Sequence, residues 1–413
     1  MARYDLAIAG AGLGGLATAA LLTRQKKRTV LVESGDLAGG SLASVRRDGF
    51  LFLPGKTLSF GFERGGLMQR FCSDLGIHQN TAILSPCYQV LLPDRRISIY
   101  QETGETLEEL SREFPGEIDI LRSFYRDIRN ISERVGKSRI TAFRTRRKNA
   151  GAYLAHYRFS KELLALFDVQ SRCFYRCSVN ELSLQSLITL VDTSPLSVPG
   201  GFNQLVEQVL SVYLQNNGEI RYGARNVDII TKGTKIEGIT LEKGDLLDAD
   251  TILINNPPIQ GEETVFLGIR EDVVPLGMAQ EVLCLPDYAR PELLFTLTIS
   301  QRDQETSAPR GTRALTASFP MLPRNTLPLK ALLEIISGTV PFLERFILHA
   351  EEQAGTPAVI AIPEQSLKSS AGVHACGAYF QSKRLKNLFL IDDSPHSPYC
   401  VVNAARRFVE RVR

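Results

Sequence analysis

The sequence predicts an α/β fold joined to a second α+β region, and three observations support this. Residues 4–33 follow the order strand, glycine-rich turn, helix, strand, which is the order of a βαβ unit. Strand and helix patterns return at 199–256 and 386–413, whereas 105–190 has the spacing of helices. At 413 residues the chain is long for one simple core, so two domains are expected.

The first strand, residues 4–9, leads directly into a glycine-rich segment, residues 10–15, called the glycine turn below. Gly10 would allow the tight turn, Gly12 would let the main chain approach a pyrophosphate, and Gly15 would let the helix pack closely on the strand. The N–H groups at the start of that helix would face the phosphates. This pattern is typical of a Rossmann-like dinucleotide site, and the alternative is a turn kept only for packing. The candidate ligand-binding residues of the turn are Gly10, Ala11, Gly12, Leu13, Gly14 and Gly15.

The second strand of the unit ends at Glu33, which lies 23 residues after Gly10. A carboxylate at this place can accept hydrogen bonds from both ribose hydroxyls, and it would repel a 2′-phosphate, so NADP is disfavoured. A glycine doublet shortly afterwards would bring more main chain close to the ligand. The further candidate residues are therefore Glu33, Ser34, Gly39, Gly40 and Ser41.

The remaining segments predict a mixture of helices and short strands. Residues 86–102 are predicted to form a hairpin that turns at Pro93-Asp94. The polar residues 137–150 are predicted to be an exposed loop within the helical part. Residues 199–218 are predicted to form a helix stopped by Gly218, and 328–348 are an apolar run with a helical pattern.

Composition excludes several classes of protein. A hydrophobic content of 44%, a charged content of 23% and a net charge of +3 are ordinary for a globular protein and give no reason to expect a nucleic-acid partner. The seven cysteines are scattered, and Cys173 and Cys177 lack a second pair at ligand spacing, so reduced thiols and no metal site are expected. The first strand begins within a few residues of the N-terminus, so no targeting peptide and a cytoplasmic location are expected.

Four blocks of sequence together resemble the phytoene desaturase and carotenoid isomerase branch of the amine-oxidase-like flavoproteins. They occur in the order of that family and span about half of the chain. They are YDLAIAGAGLGGLATAALL with VLVE, AGGSLAS with DGFLFLPGKT, the stretch from PGGFNQLVEQVL to TILIN, and LKNLFLIDDSPHSP.

The resemblance implies FAD as cofactor and a discontinuous Rossmann-like FAD-binding domain with a second, α+β substrate domain. The FAD-binding domain would be assembled from 1–75, 200–260 and 380–413, and the substrate domain from 76–199 and 261–379. The pyrophosphate would lie over the glycine turn, with the ribose on Glu33.

Two further contacts follow from the resemblance: the adenine would lie by the main chain of Val227, and Asp393 would bond the ribityl or phosphate region. A solvated turn is the alternative for Asp393. The sequence departs from the family pattern where Ser41 replaces arginine, Leu53 replaces an acid and Asp392 replaces glycine. Pro398-Tyr399-Cys400 also replaces a turn of small residues before the last helix. These departures favour an intact ADP half over an intact isoalloxazine half of the site.

No catalytic residue is assigned from the sequence. His374, Cys376, His396 and Cys400 carry groups that can titrate or act as nucleophiles. A turn histidine and a buried thiol are the simpler interpretations. The absence of a nucleophile triad fits an enzyme whose cofactor carries the chemistry.

A cluster of basic residues falls within the predicted loop 137–150. A solvated loop is the simpler interpretation, and peripheral contact with anionic lipid at the inner face of a membrane is the alternative. The cluster surrounds Phe143 and consists of Arg139, Arg144, Arg146, Arg147 and Lys148.

The sequence thus favours an FAD-dependent oxidoreductase of the desaturase or isomerase type with a small, apolar, isoprenoid- or polyene-like substrate. The alternative is a non-catalytic relative of the same fold that binds a lipid or a protein partner and has lost productive flavin binding. Family-level analogy carries both hypotheses, since a fold alone does not determine chemistry.

Overall fold

The computed structural model describes residues 3–54, 57–224, 228–241, 245–256, 262–302, 306–323, 325–353, 367–369, 379–392 and 398–412. The strands of these residues are β1 (Tyr4–Ala9), β2 (Thr29–Val32), β3 (Val45–Arg47), β4 (Phe50–Phe52), β5 (Leu58–Ser59), β6 (Tyr88–Leu92), β7 (Arg95–Ile99), β8 (Leu196–Ser197), β9 (Glu219–Arg221), β10 (Asp228–Lys232), β11 (Lys235–Thr240), β12 (Leu246–Asn256), β13 (Glu263–Arg270), β14 (Glu281–Cys284), β15 (Phe295–Ile299), β16 (Thr312–Phe319), β17 (Ile347–Glu352), β18 (Leu367–Ser369), β19 (Tyr379–Ser382) and β20 (Leu388–Asp392).

The helices of the same residues are α1 (Leu13–Thr23), α2 (Leu67–Leu75), α3 (Thr103–Glu113), α4 (Ile118–Lys137), α5 (Arg139–Arg147), α6 (Ala150–Leu154), α7 (Lys161–Tyr175), α8 (Leu184–Asp192), α9 (Asn203–Gln215), α10 (Leu329–Ser337) and α11 (Pro398–Val412).

The first sheet has the order β18-β19-β20-β12-β1-β2-β9, and the β10–β11 hairpin attaches to the start of β12. Its central strands β20, β12, β1, β2 and β9 are parallel. The carboxyl ends of these strands therefore meet at one edge, where ligands bind in open α/β sheets.

Helix α1 packs on this sheet between α9 and α11, and all of its residues are buried. Its sequence, LGGLATAALLT, combines small residues with leucines, so the helix can lie close to the strands beneath it. Leu16 and Ala20 share one core with Leu205 of α9 and Phe408 of α11. The helix that begins at the glycine turn is thus fixed from both sides.

The second sheet has the order β17-β13-β16-β15-β14-β6-β7 and is antiparallel except between β14 and β6. Helices between residues 103 and 192 share a core with β6 and β7, to which Leu121, Phe124 and Leu166 contribute. Helix α10 covers a separate core under the rest of the sheet. The predicted class, a Rossmann-like α/β part with a second α+β part, is confirmed.

The hairpin predicted at 86–102 is confirmed, since Leu92 of β6 pairs with Arg95 of β7 on either side of Pro93-Asp94. The helix predicted at 199–218 is confirmed as α9. The apolar run 328–348 is only partly a helix, because α10 ends before Gly338 and the chain has re-entered a strand, β17, at Ile347. Glycine and Pro341 interrupt the helical pattern there.

The predicted loop at 137–150 is wrong, because α5 occupies most of it. The side chain of Ser138 accepts a hydrogen bond from the main-chain N–H of Thr141 and thereby caps the helix. Residues 139–147 contain neither glycine nor proline, and arginine favours helices. Low hydrophobicity was therefore a misleading signal at this position.

The first sheet takes its strands from 4–32, 219–256 and 367–392, and the second takes its strands from 88–99 and 263–352. Strand β18 belongs to the first sheet, although it lies before residue 380, where the last segment of the predicted FAD-binding domain begins. The boundaries of the two domains stay a prediction.

Candidate functional site

The glycine turn begins at Gly10, whose main chain has a φ of +104°. Its N–H donates to the carbonyl oxygen of Val32 at 2.7 Å. A Cβ atom on this residue would lie 2.1 Å from the carbonyl oxygen of Asn255 in β12. Both the conformation and the close approach of the neighbouring strand therefore require glycine here.

The last two glycines of the turn fit α1 against the sheet. A Cβ atom on Gly15 would lie 2.3 Å from the carbonyl oxygen of Gly10. A Cβ atom on Gly14 would lie 2.4 Å from Asn255 Oδ1 and 2.9 Å from a methyl group of Ile391. The predicted close packing of helix on strand is thus present at Gly15.

Helix α1 begins after Gly12, which is extended and carries no side chain that could cap the helix. The carbonyl oxygen of Gly12 accepts the N–H of Leu16 at 3.0 Å and so starts the helical hydrogen bonding. The positive end of the helix dipole lies at this turn, an arrangement suited to an anion. The phosphate contacts of Gly12 and Leu13 stay a prediction.

Glu33 is buried, and its carboxylate joins the glycine turn to the chain that follows β2. Oε2 accepts the N–H of Ala11 at 2.7 Å, and Oε1 accepts the N–H of Gly35 at 2.9 Å and the hydroxyl of Ser34 at 3.2 Å. A carboxylate offers about four acceptor positions, so a further donor can be accommodated. The predicted ribose contact is compatible with this geometry and stays a prediction.

The second glycine pair lies beside the glycine turn. Gly39 and Gly40 have φ values of +119° and +55°, and the N–H of Gly39 donates to the carbonyl oxygen of Ala11 at 2.9 Å. A Cβ atom on Gly39 would lie 3.2 Å from Val206 of α9. Ser41 follows in a short 3₁₀ helix, Gly40–Leu42. The structure therefore brings the two predicted glycine segments together.

Tyr222 is a residue of this region that the sequence reasoning missed. It follows β9 at the carboxyl edge of the parallel strands. Partial burial raises the pKa of its hydroxyl, and the negative charge of Glu33 raises that pKa further. The position directly after a parallel strand was the available signal.

Several predicted positions lie outside the described residues: Val227, Asp393, His374, Cys376 and His396. Their predicted roles stay predictions. Asp392 is the last residue of β20 and lies opposite Asn256 in parallel register, so the main chain of β20 does reach the edge of the sheet at which the glycine turn lies.

The departures from the family pattern at Leu53 and Tyr399 are accommodated by glycines. A Cβ atom on Gly61 would lie 3.0 Å from the ring of Tyr399, and one on Gly201 would lie 3.2 Å from a methyl group of Leu53. Burial raises the pKa of Tyr399, and the charge of Glu63 raises it further, whereas Arg146 lowers it. These larger side chains thus occupy space that the facing glycines leave open.

A buried carboxylate that the sequence reasoning missed lies in the second sheet. Glu281 is fully buried at the start of β14. Oε1 accepts the N–H of Thr57 at 2.6 Å and its hydroxyl at 2.7 Å, and Oε2 accepts the hydroxyl of Thr298 at 3.1 Å. The available signal was a lone acid before the apolar run VLCLP. Glu281, Thr57 and Thr298 are called the Glu281 cluster below.

Both threonines of the Glu281 cluster line a small cleft that is open to solvent. Each hydroxyl donates its hydrogen to Glu281, so each presents only acceptor capacity to the cleft. The other lining residues are Leu51, Leu53, Ser197, Val198, Pro199, Gly200, Gln280, Ile299, Ser300, Gln301, Ser307, Ala314 and Thr316. The cleft therefore combines hydroxyl and amide groups with apolar side chains.

The cysteines of the described residues are mostly buried free thiols. Burial raises the pKa of Cys72, Cys87 and Cys177 to about 11, which makes them poor nucleophiles at neutral pH. Cys400, by contrast, is disulfide-bonded, so the expectation of reduced thiols is wrong there.

Across the described ranges, no group of three or more histidine, cysteine, aspartate or glutamate side chains could hold a metal ion. None of the helices in the described part of the chain is both long enough and apolar enough to cross a membrane.

One protein-family model matches the part of the chain that contains the glycine turn. Residues 8–75 match the NAD(P)-binding Rossmann-like domain. This segment covers the turn, Glu33 and the second glycine pair. A dinucleotide-binding Rossmann-like domain is therefore present.

Comparison with curated proteins gives relatives with carotenoid-related names. The chain is 25% identical over 283 residues to a chloroplastic prolycopene isomerase of Arabidopsis thaliana, covering 61% of this chain and 47% of that protein. It is 25% identical over 274 residues to a lycopene-forming phytoene desaturase of a Paracoccus species, covering 60% and 54%. The chain thus spans about half the length of the curated relatives it matches.

Solved structures share the fold over nearly the whole chain. An oxidoreductase from Methanosarcina mazei has a TM-score of 0.66 at 15% identity and covers 98% of this chain and 99% of its own. Cyclohexylamine oxidase from Brevibacterium oxydans has a TM-score of 0.58 at 14% identity and covers 100% and 99%. The predicted resemblance is therefore confirmed: the chain is similar in sequence to a prolycopene isomerase and a phytoene desaturase, and it shares its fold with a solved amine oxidase.

Proposed function

We propose that the chain is an FAD-dependent oxidoreductase of the desaturase or isomerase type that acts on an apolar, isoprenoid- or polyene-like substrate. The observation that carries the proposal is the joint position of Glu33, the glycine turn and the second glycine pair, which are connected through the main chain of Ala11. The names of the curated relatives support the substrate class.

The residues present suit the ADP half of FAD. The glycine turn and the start of α1 would hold the pyrophosphate, Glu33 and Ser34 would hold the ribose, and Gly39, Gly40 and Ser41 would border the phosphate nearer the flavin. The start of α1 after the extended Gly12 supports this assignment, because the positive end of the helix dipole lies at the glycine turn. Val227 and Tyr222 would border the adenine, and Asp393 would bond the ribityl region.

Bound FAD would supply the redox chemistry that this protein's side chains lack. The chain itself would position the substrate. In the cleft, Glu281 holds the hydroxyl hydrogens of Thr57 and Thr298 on its own oxygens. Because both hydroxyls are bonded to Glu281 within the protein, the apolar lining residues would make the contacts with an apolar substrate and exclude water from it.

The alternative, a non-catalytic relative, has less support, because the curated relatives carry the names of an isomerase and a desaturase. The experiment below tests this alternative together with the proposal.

The test begins with protein freed of cofactor and incubated with FAD, followed by its visible absorbance after desalting. We expect a yellow protein. Phytoene and prolycopene are then added to it in separate reactions, and the absorbance of the polyene is measured. The Glu281→Gln protein is measured in parallel as the variant altered at the cleft. A colourless product would contradict the cofactor assignment and favour the non-catalytic alternative. A yellow protein that changes neither polyene would contradict the substrate class alone.

A further inference from the structure

Helix α5 packs on the protein through its small and polar side chains. Thr145 is buried, and its hydroxyl donates to the side-chain oxygen of Gln185 in α8 at 2.8 Å. Thr141 and Ala142 on the same side are half-buried. A surface helix ordinarily turns its large apolar side chains inward, so α5 has the reverse arrangement.

The outward face of α5 carries two large apolar side chains. Ile140 is 67% exposed and Phe143 is 58% exposed. Residues three apart lie on one face of a helix, so these two side chains are neighbours. Leaving both in water forgoes the burial that stabilises apolar groups, which indicates that another surface covers them.

Exposed basic side chains surround this apolar pair. The guanidinium of Arg147 lies 5.3 Å from the centre of the Phe143 ring. Within the described residues, none of the five basic side chains of the cluster takes part in an ion pair. The cluster consists of Arg139, Arg144, Arg146, Arg147 and Lys148, all exposed.

The charge is concentrated here and not spread over the chain. Residues 134–161 contain nine lysines and arginines and no aspartate or glutamate, although the whole chain has a net charge of only +3. The rest of the chain is therefore slightly acidic. A local basic field with an apolar centre attracts an anionic surface that can also take up apolar groups.

We propose that α5 docks on a lipid bilayer that carries anionic headgroups, with Ile140 and Phe143 inserted among the headgroups and the surrounding arginines on the phosphates. A nucleic acid would match the positive charge but offers no apolar layer for an unstacked isoleucine. A bilayer offers both. This inference rests on α5 alone and does not depend on the proposed activity.

The chain contains no tryptophan, so one introduced tryptophan reports on one place. Phe143→Trp is the reporter, and Phe342→Trp is the matched control, because Phe342 is 70% exposed and also has an arginine, Arg345, over its ring at 5.9 Å. On addition of vesicles of equimolar phosphatidylglycerol and phosphatidylcholine, we expect a blue shift for Phe143→Trp and none for Phe342→Trp. Brominated lipid should quench only the first.

Vesicle co-sedimentation then tests the charge. Each Lys or Arg at an anionic surface contributes roughly a fivefold factor in binding, so Arg144→Gln with Arg147→Gln should weaken binding roughly 25-fold, and added salt should weaken it further. The control is Arg270→Gln with Arg290→Gln, where both arginines already pair with an acid, and it should bind like the unchanged chain. Ile140→Ser with Phe143→Ser should also lose binding.

An unshifted Phe143→Trp spectrum, equal shifts at both tryptophans, or equal binding to pure phosphatidylcholine vesicles would overturn the proposal. Binding to single-stranded polyadenylate but not to vesicles would overturn it in favour of a nucleic-acid partner. Thermal melting of each variant identifies any that fail to fold, and the tryptophan reporter, which keeps an aromatic ring at 143, still decides in that case.

Discussion

The glycine turn and the Glu281 cluster are two buried arrangements built in different ways. In the glycine turn, the main chain forms the structure, and Glu33 accepts N–H groups from residues 22 positions before it and two after it. In the Glu281 cluster, the partners Thr57 and Thr298 lie 224 and 17 positions from Glu281 along the chain. The bonds of Glu33 lie within one βαβ unit and the chain directly after it, whereas Glu281 joins β14 to a residue more than 200 positions earlier.

This difference separates what a short motif can specify from what tertiary structure adds. The glycine turn depends on backbone conformations that only glycine adopts easily, so its sequence is distinctive. The Glu281 cluster depends on ordinary residue types that become unusual only through burial. Substitutions in the glycine turn should therefore lower stability through steric clashes. Substitutions in the Glu281 cluster should lower it by leaving buried polar groups without hydrogen bonds.

The largest effect is expected for Gly10→Ala. The added Cβ would collide with the carbonyl oxygen of Asn255 at a positive φ, so we expect a loss of about 4 kcal/mol in the free energy of unfolding. Gly65→Ala is the control, because Gly65 also has a positive φ but has no atom within 4 Å of the added Cβ. It should cost about 1 kcal/mol in urea denaturation. Equal losses of unfolding free energy at the two positions would show that the contact with Asn255 does not destabilise the variant.

Glu281→Gln tests the other arrangement. The amide nitrogen would face either the N–H of Thr57 or a threonine hydroxyl, so we expect a loss of about 2–3 kcal/mol in the free energy of unfolding. Glu292→Gln, which changes an exposed acid, should shift stability by less than about 0.5 kcal/mol. A Glu281→Gln protein as stable as the unchanged chain would mean that Glu281 is held neutral and already donates a hydrogen bond.

Glu33→Ala tests the contribution of Glu33 to binding at the glycine turn. Loss of charge-assisted hydrogen bonds to the ribose should weaken FAD binding roughly tenfold or more, as measured by calorimetry. Asp36→Ala, an exposed acid three residues later, should bind FAD as before. Unchanged affinity in a folded Glu33→Ala protein would leave Glu33 a structural role only.

The smallest effect at neutral pH is expected from two buried thiols, Cys72 in the core under α1 and Cys87 in the core of the second sheet. Burial raises the pKa of both to about 11 from an ordinary value near 9, so the folded state keeps a proton that the unfolded state loses. Stability should be constant below pH 9 and fall between pH 9 and about 11. Cys72→Ala and Cys87→Ala should each flatten that fall, and a flattening in only one would distinguish the two cores.

Much of the Rossmann-like part and some of the second part could be predicted because their signals are local. The order from Tyr4 to Glu33, the 86–102 hairpin and helix α9 each follow from spacing, glycine placement or turn residues. The approach of Gly39 to Ala11 could not be derived in this way, because it depends on how the chain returns after β2.

The error at α5 and the omission of Glu281 have different physical causes. Helix formation at 139–147 is stabilised by the Ser138 cap and by contact with α8, and neither produces an apolar pattern. The burial of Glu281 is made tolerable by Thr57 and Thr298, which the sequence does not place nearby. A local cap and a tertiary contact decided the first case, and long-range partners decided the second.

The bonds from Glu33 to Ala11 and Gly35 have a thermodynamic consequence for any nucleotide that binds. They hold the turn in its final conformation before a ligand arrives, so association need not order a loop or reduce the entropy of the main chain at this point. The binding enthalpy would then report new contacts with the ligand and not the folding of the site. The temperature dependence of that enthalpy should correspondingly be modest and set by the area buried.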